Sequence, residues 1–274
     1  MLENKWPLYL YYDEMQGREL QGVPKAQVLT LYTPQQRVAA LLRSKRKDML
    51  EASAIRLVKT LAQEAGLPSE CFGISGSLLV GLHREDSDLD IIVYGTAAIE
   101  RVQRALRALI DDDQVFHTCS TTDLKRLFKK RNLGKAFTFG DFELQERRKT
   151  LQGRFMRHEY FIRGVKNWGE ITERYGDVRF SSAGECMITA KVTDDKESLL
   201  TPSRYSLEQV NVLAGDSSRS PREVVSFRGR FAEQALRGER ILARGRLEAV
   251  QSEDSEYFRL VVGEGLKDVL RTIW

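Results

Sequence analysis

Residues 73–94 read Gly-Ile-Ser-Gly-Ser-Leu-Leu-Val-Gly-Leu-His-Arg-Glu-Asp-Ser-Asp-Leu-Asp-Ile-Ile-Val-Tyr, and they constrain the chain more than any other stretch. Asp88, Leu89 and Asp90 lead into the apolar run Ile91, Ile92, Val93, which predicts a strand. Alternation along it puts Asp88 and Asp90 on one face and Leu89 and Ile91 on the other. Two carboxylates about 7 Å apart on one face can grip hard cations, which take oxygen ligands. Upstream, Gly76 lets the backbone approach a phosphate, the Ser77 hydroxyl adds a donor, and the start of a following helix offers N–H groups. Asp-x-Asp alone is common in loops, so the Gly-Ser pair in register is what points to phosphate and metal chemistry.

The order apolar residue, Gly-Ser, spacer 78–87, Asp-apolar-Asp-apolar resembles the DNA polymerase β-like nucleotidyltransferase superfamily. Gly76 and Ser77 match its glycine-serine signature, Asp88 and Asp90 its paired metal ligands, and Asp86 and Ser87 fall in the turn between. The resemblance covers residues 48–166. It implies an α+β core, a mixed sheet flanked by helices, with Mg²⁺ (Mn²⁺ as substitute) and a nucleoside triphosphate such as ATP. It also implies a third carboxylate on a neighbouring strand, which helps to hold a metal and takes the proton from the attacking hydroxyl. Residues 154–165 read as that strand and Glu159 is the only acid in it, with Glu143 in reserve. Ser87, Arg157 and Arg163 are then expected at the nucleotide, with Lys166 near the phosphates.

The remaining pattern bounds the architecture. At 274 residues, 42% hydrophobic and 30% charged, the chain suits one large domain or two modest ones with a real core. No run approaches the roughly 18 apolar residues of a membrane span, and the first residues lack a signal peptide's layout. Cys71, Cys119 and Cys186 have neither zinc spacing nor an even count. These features predict a cytoplasmic protein without a membrane partner. His83, His117 and His158 are dispersed surface or interface residues, of which His83, ahead of the Asp86 turn, is the one placed to approach the site.

Residues 8–12 and 26–32 predict a hairpin, and Thr33-Pro34 starts a helix to Leu42. The basic run Arg43, Lys45, Arg46, Lys47 suits a solvated helix end. Helical spacing of Leu50, Ala54, Leu57, Val58 and Leu61 predicts a helix over 48–65, closed by Gly66 and Pro68. A strand over 71–74, a helix over 99–110 with an acidic end at Asp111, Asp112 and Asp113, a strand over 115–119 and a helix over 123–130 follow. From 125 to 163 twelve Lys and Arg face four acids, a net +8 against +4 for the whole chain. That excess suits RNA or another polyanion, because phosphate contacts by Lys and Arg release counterions. The interleaved Phe128, Phe137, Phe139, Phe142 and Phe155 are better read as core than as base-stacking rings.

After residues 176–183 the texture changes to short strands over 186–192, 224–232, 240–250 and 257–263, with a closing helix over 266–273. The echo Phe227-Arg-Gly-Arg and Ala243-Arg-Gly-Arg predicts a hairpin turning at Gly238, within a β-rich domain for which an OB-like sheet or a small barrel is the functional alternative. Gly229 and Gly245 suit bulges or bends. The expected division is 1–47, an extension; 48–176, the nucleotidyltransferase core; and 177–274, the β-rich domain. The whole layout resembles predicted archaeal nucleotidyltransferases with a β-rich tail. Three functions stay open: nucleotide addition to RNA, perhaps tRNA-like; nucleotidyl transfer to a protein or small molecule; and a nucleic-acid-binding module with a relict site. Oligomeric state and base choice are not written in one sequence.

Overall fold

Helix α3 (Met49–Ala65) forms for local reasons. Asp48 accepts the Glu51 N–H at 2.9 Å while Glu51 accepts the Asp48 N–H at 3.1 Å, a reciprocal cap. Leu50, Ala54, Leu57, Val58 and Leu61 all lie on its buried face, each large one contributing roughly 2 kcal/mol. This is a computed structural model describing residues 2–112, 115–131 and 138–273. Asp113, Lys135 and Phe137, named above, lie outside them.

Helices α3 and α5 (Thr96–Asp112) cover one face of a five-stranded sheet. Its strands are β3 (Phe72–Ile74), β4 (Leu89–Tyr94), β5 (Phe116–His117), β6 (Gln152–Phe155) and β7 (His158–Val165), in the order β3-β4-β7-β6-β5. Only the central β4–β7 pair is parallel. In β4, Leu89, Ile91 and Val93 are buried and Asp90, Ile92 and Tyr94 only partly so. In β7, Tyr160 and Ile162 are buried against the helices, while Glu159, Phe161 and Arg163 face the other way. The alternation thus gives the sheet one packed face and one more open face. Helix α4 (Gly76–Val80) joins β3 to the loop before β4. Helices α6 (Thr121–Arg131) and α7 (Phe139–Glu146) pack through Phe128, whose ring centroid lies 5.7 Å from Phe139 and 5.3 Å from Phe142. Phe155 is buried in the sheet's core. These described aromatics are core.

The second half closes into a barrel. Strands β8 (Arg179–Asp194), β9 (Ser203–Ala214), β10 (Pro221–Ser226), β11 (Arg240–Gln251) and β12 (Glu256–Val261) pair in the ring β8-β9-β10-β12-β11-β8, with β10–β12 parallel and the rest antiparallel. Closure removes the sheet edges, and Ile188, Tyr205, Val224, Ile241 and Leu260 fill the interior.

Four expectations are corrected. The N-terminal hairpin is β1 (Leu10–Asp13) with β2 (Arg18–Gln21), and residues 26–32 contain no strand. The Asp13 carboxylate accepts the Met15 and Gln16 N–H groups and so closes the turn early. Residues 154–165 are not one strand, since Met156, at φ 54°, turns the chain between β6 and β7. Residues 224–232 and 240–250 are not a hairpin: β10 ends at Ser226, Gly229–Phe231 is a 3-10 turn, and the Tyr205 hydroxyl fixes that turn by donating to the Phe231 carbonyl at 2.6 Å. The end is not a helix but β13 (Val269–Ile273), which finds five partners along Arg240 to Arg244 of β11.

The halves interlock across the sequence divisions. Helix α2 (Pro34–Arg43) buries Val38 and Leu41 in the same core as α3, whereas the β1–β2 hairpin docks on the barrel, the Phe180 N–H donating to the Met15 carbonyl at 2.6 Å. Leu199, Leu200 and Ala232 belong to the first core. Glu233, 6% exposed, accepts the Thr150 and Leu151 N–H groups at 2.8 Å each, the Thr150 hydroxyl and the Gln103 amide.

Candidate active site

The Ser75 N–H donates to the Asp90 carbonyl at 2.8 Å, which pins the β3–α4 turn to β4. Gly76 follows at φ 61°, and a Cβ there would stand 2.0 Å from Asp90 Oδ2. Glycine is required twice, by the left-handed backbone and by the carboxylate against it. Asp90 is half-buried, and burial pushes its carboxyl above the usual range; the Asp88 charge adds to the rise and Arg163 opposes it. Asp88 is exposed at the mouth of β4.

Register brings the third acid in. Leu89 is opposite Tyr160 and Asp90 opposite Phe161, so one step back sets Asp88 beside Glu159 on the open face. Both line one cavity of about 630 Å³. Its walls mix further acids, Glu85, Asp86 and Asp123, with the cations Arg126, Lys130, Arg154 and Arg157. Glu159 is held by Arg126 Nη2 at 2.5 Å, and the same nitrogen reaches Asp123 at 3.1 Å. Glu143 is elsewhere: Arg147 and the Thr121 hydroxyl hold its carboxylate below the usual range.

The remaining expected residues divide. Ser77 is half-buried on α4 beside Gly76. Ser87 instead closes its own turn, its hydroxyl accepting the Arg84 N–H at 3.0 Å and its N–H donating to the Arg84 carbonyl. Arg157 lines the cavity and its Nη2 touches Met49 Sδ at 3.4 Å. Arg163 lies on the Asp90 side, its guanidinium 5.8 Å from the Phe161 ring centre. Lys166 pairs with Glu197 at 2.5 Å, away from the cavity lining.

His158 was expected at a surface or interface; it is buried in the cavity wall, and burial, with Arg157 and Arg154 beside it, pushes its pKa down. Cys119, in the same wall, has its thiol pushed up to about 11 by burial and neighbouring acids, so it is no nucleophile. His83 turns away to Asp48 at 2.7 Å. Asp48, Glu51 and His83 bring ligand atoms within 4.8 Å of one another, but both acids cap α3 and Glu51 also pairs with Arg37 at 2.7 Å.

The basic stretch does not form one face. Arg131 and Lys149 grip the buried Glu146 at 3.0 and 2.8 Å, Arg147 takes Glu143, and Arg148 reaches Glu239 of the barrel at 3.0 Å. Glu143 and Glu146 are already counted in the net +8, so of these pairs only Arg148 with Glu239 draws on an acid outside the stretch. Sequence reasoning missed Asp123 and Arg126 as partners of the third acid, and no local signal marks them.

Asp88, Asp90 and Glu159 are the oxygen donors a hard divalent cation takes, but their ligand atoms do not all lie within 4.8 Å of one another as those of Asp48, Glu51 and His83 do. The fit rests on Asp90: its carboxylate is crowded by burial and by Asp88, a repulsion that a bound cation relieves. Among the described residues no helix is long and apolar enough to cross a membrane.

Comparison with known proteins places the chain beside one from Methanocaldococcus jannaschii, described as uncharacterized protein MJ1086: the two are 32% identical over 263 residues, 96% of this chain and 75% of the other. No family model matches the chain, and no solved structure matches it.

Proposed function

The chain belongs to the family of the Methanocaldococcus jannaschii protein MJ1086, and from the geometry of its site we propose that it is a metal-dependent nucleotidyltransferase, in which an acceptor hydroxyl attacks the α-phosphorus of a nucleoside triphosphate, takes the nucleoside monophosphate and releases pyrophosphate. One observation carries the reading: the Gly76 backbone lies against the Asp90 carboxylate while register sets Glu159 beside Asp88. A phosphate-approaching turn and three acids thus share one open sheet face. Asp88, Asp90 and Glu159 would hold Mg²⁺ or Mn²⁺, which when bound neutralises triphosphate charge and makes the acceptor hydroxyl easier to ionise. Gly76 and Ser77 receive the phosphates at the turn. Glu159 Oε1, now held by Arg126, is the carboxylate placed to accept the acceptor's proton. Once it does so, Arg126, with Arg157 beside it in the same cavity, turns its charge to the phosphates.

RNA is the preferred acceptor, supported by the barrel's ring with its single parallel pair, an OB-like arrangement of the kind used to bind oligonucleotides. Transfer to a protein or small molecule is the second reading, favoured by the internal pairing of Arg131, Arg147, Arg148 and Lys149. A relict site would bind without turnover. The test is incubation with each α-labelled nucleoside triphosphate, Mg²⁺ or Mn²⁺, and RNA or extract, against Asp88→Ala/Asp90→Ala. Label entering RNA only with the wild type supports the first reading, and label in protein or small molecules supports the second. No metal-dependent label in any acceptor pool overturns both.

A further inference from the structure

The 3-10 turn Gly229–Phe231 belongs to the barrel by sequence but sits on the acidic face of the sheet. A Cβ at Gly229 would stand 2.3 Å from Phe161 Cζ and 2.7 Å from its Cε1, so the Gly229 backbone lies flush against the ring. Phe161 is the strand partner of Asp90 on the same face, which puts the turn one side chain away from the middle carboxylate.

Arg228 stands at the start of this turn, and the structure fixes its stem while leaving its fork open. Gly263 presses on it, since a Cβ there would lie 2.9 Å from Arg228 Cγ and 2.8 Å from the Phe231 ring. Arg228 Nε donates to the Gly263 carbonyl at 3.3 Å. Its two terminal nitrogens have no partner among the described residues, and no acid pairs with it. Arg163 is in the same condition: exposed, in contact with Phe161, and without an ion-pair partner among the described residues. Arg131, Arg147, Arg148, Arg246 and Arg259 are each held by an acid, whereas Arg163 and Arg228 are among the described arginines that are not. Both guanidinium groups are exposed, Arg163 beside the Phe161 ring and Arg228 next to the glycine that packs on it, and so are accessible to an anion from outside. A planar fork whose stem is already ordered loses little entropy on gripping a phosphate.

We propose that the barrel forms one wall of the transfer site, with Arg163, beside Phe161, and Arg228, next to the glycine packed on that ring, binding a phosphate group of a substrate. This rests on the nucleotidyltransferase reading and deepens it by making the second half of the chain part of the substrate site. The phosphate comes either from the nucleoside triphosphate or from the acceptor's own backbone, and both sources present the same oxyanion to the fork.

The test uses the full chain as wild type, Arg228→Gln, Arg163→Gln and Arg228→Lys, each first shown to melt within about 2 °C of wild type. Glutamine keeps most of the stem that Gly263 and Phe231 hold. Binding of Mg·ATP and of a fluorescent single-stranded RNA dodecamer is titrated separately at fixed ionic strength. The expected result is a loss of about tenfold or more for each glutamine variant toward one of the two probes, with partial recovery in Arg228→Lys. Loss confined to Mg·ATP assigns the phosphate to the donor, and loss confined to RNA assigns it to the acceptor. Both affinities within twofold of wild type in Arg228→Gln overturn the proposal, as does a wild type that binds neither probe. A wild type that binds RNA without turning over any nucleotide removes the transferase reading alone, and the RNA titration of Arg228→Gln still decides the barrel's part.

Discussion

Replacing Gly76 with alanine tests the central contact of the site. The backbone there has φ 61°, so any Cβ costs about 1–2 kcal/mol of left-handed strain. The added methyl would also stand 2.0 Å from Asp90 Oδ2, and the carboxylate must recede by about 1.4 Å to reach an ordinary contact of 3.4 Å. A misplacement of about 1 Å at a reacting centre costs on the order of 100-fold in rate. Gly81 supplies the control, because it has φ 71° with nothing within 4 Å of its Cβ position. Gly81→Ala therefore incurs the strain without the collision. Both variants should melt roughly 3–6 °C lower, at about 2–4 °C per kcal/mol for a chain near this size. Only Gly76→Ala should also lose about 100-fold in label transfer and most of the Mg²⁺-induced rise in melting temperature. If Gly76→Ala transfers label as well as Gly81→Ala does, the carboxylate does not need its place against the turn and the reasoning fails.

Asp90 links stability to pH. Its carboxyl is raised in the folded chain, by burial first and then by Asp88, so the folded state binds more protons than the unfolded one. Stability is lost as pH rises from the ordinary aspartate value of 3.8 through the raised one. Asp90→Asn should flatten that fall and melt higher than wild type at pH 7 in EDTA, yet gain nothing from Mg²⁺; a variant no more stable than wild type in EDTA would contradict the crowding. Arg126→Ala removes a cation from Glu159 in a pair exposed enough to contribute under about 1 kcal/mol, so the melting temperature should hold while the Mg²⁺ midpoint falls severalfold; an unmoved midpoint means the guanidinium does not compete. Glu233→Ala leaves the buried Thr150 and Leu151 N–H groups without their acceptor and should cost about 3–5 kcal/mol in urea unfolding; a loss under about 1 kcal/mol would show that water replaces the carboxylate.

What was legible in the sequence is what neighbours along the chain decide. The cap at Asp48 and Glu51, the stop at Gly66 and the alternation of β4 are each written within a few residues. Glu159 was found as the only acid of its stretch even though Met156 breaks that stretch into two strands. What was not legible depends on distant partners. Strand β13 is extended because β11, about thirty positions upstream, offers it a ladder. Arg148 of the basic stretch is taken by Glu239, which reaches it from the barrel, and Arg131 and Lys149 share one buried Glu146. Ser87 carries a nucleotide-binding signature by position but spends its hydroxyl on its own turn. The packing of Gly229, next to Arg228, on Phe161 joins two segments more than sixty residues apart, and the Phe227-Arg-Gly-Arg pattern does not reveal it.

The Glu233 clasp also bears on any attempt to separate the two halves. Leu151 gives its N–H to Glu233 and its carbonyl to the Ile162 N–H at 2.7 Å, so it stands between the barrel and the strand that carries Glu159. A nascent chain that has left the ribosome only as far as residue 176 holds every acid of the site but not the acceptor for Thr150 and Leu151. The first half released alone would therefore leave those two buried N–H groups without their acceptor, and would be a poor stand-in for the whole.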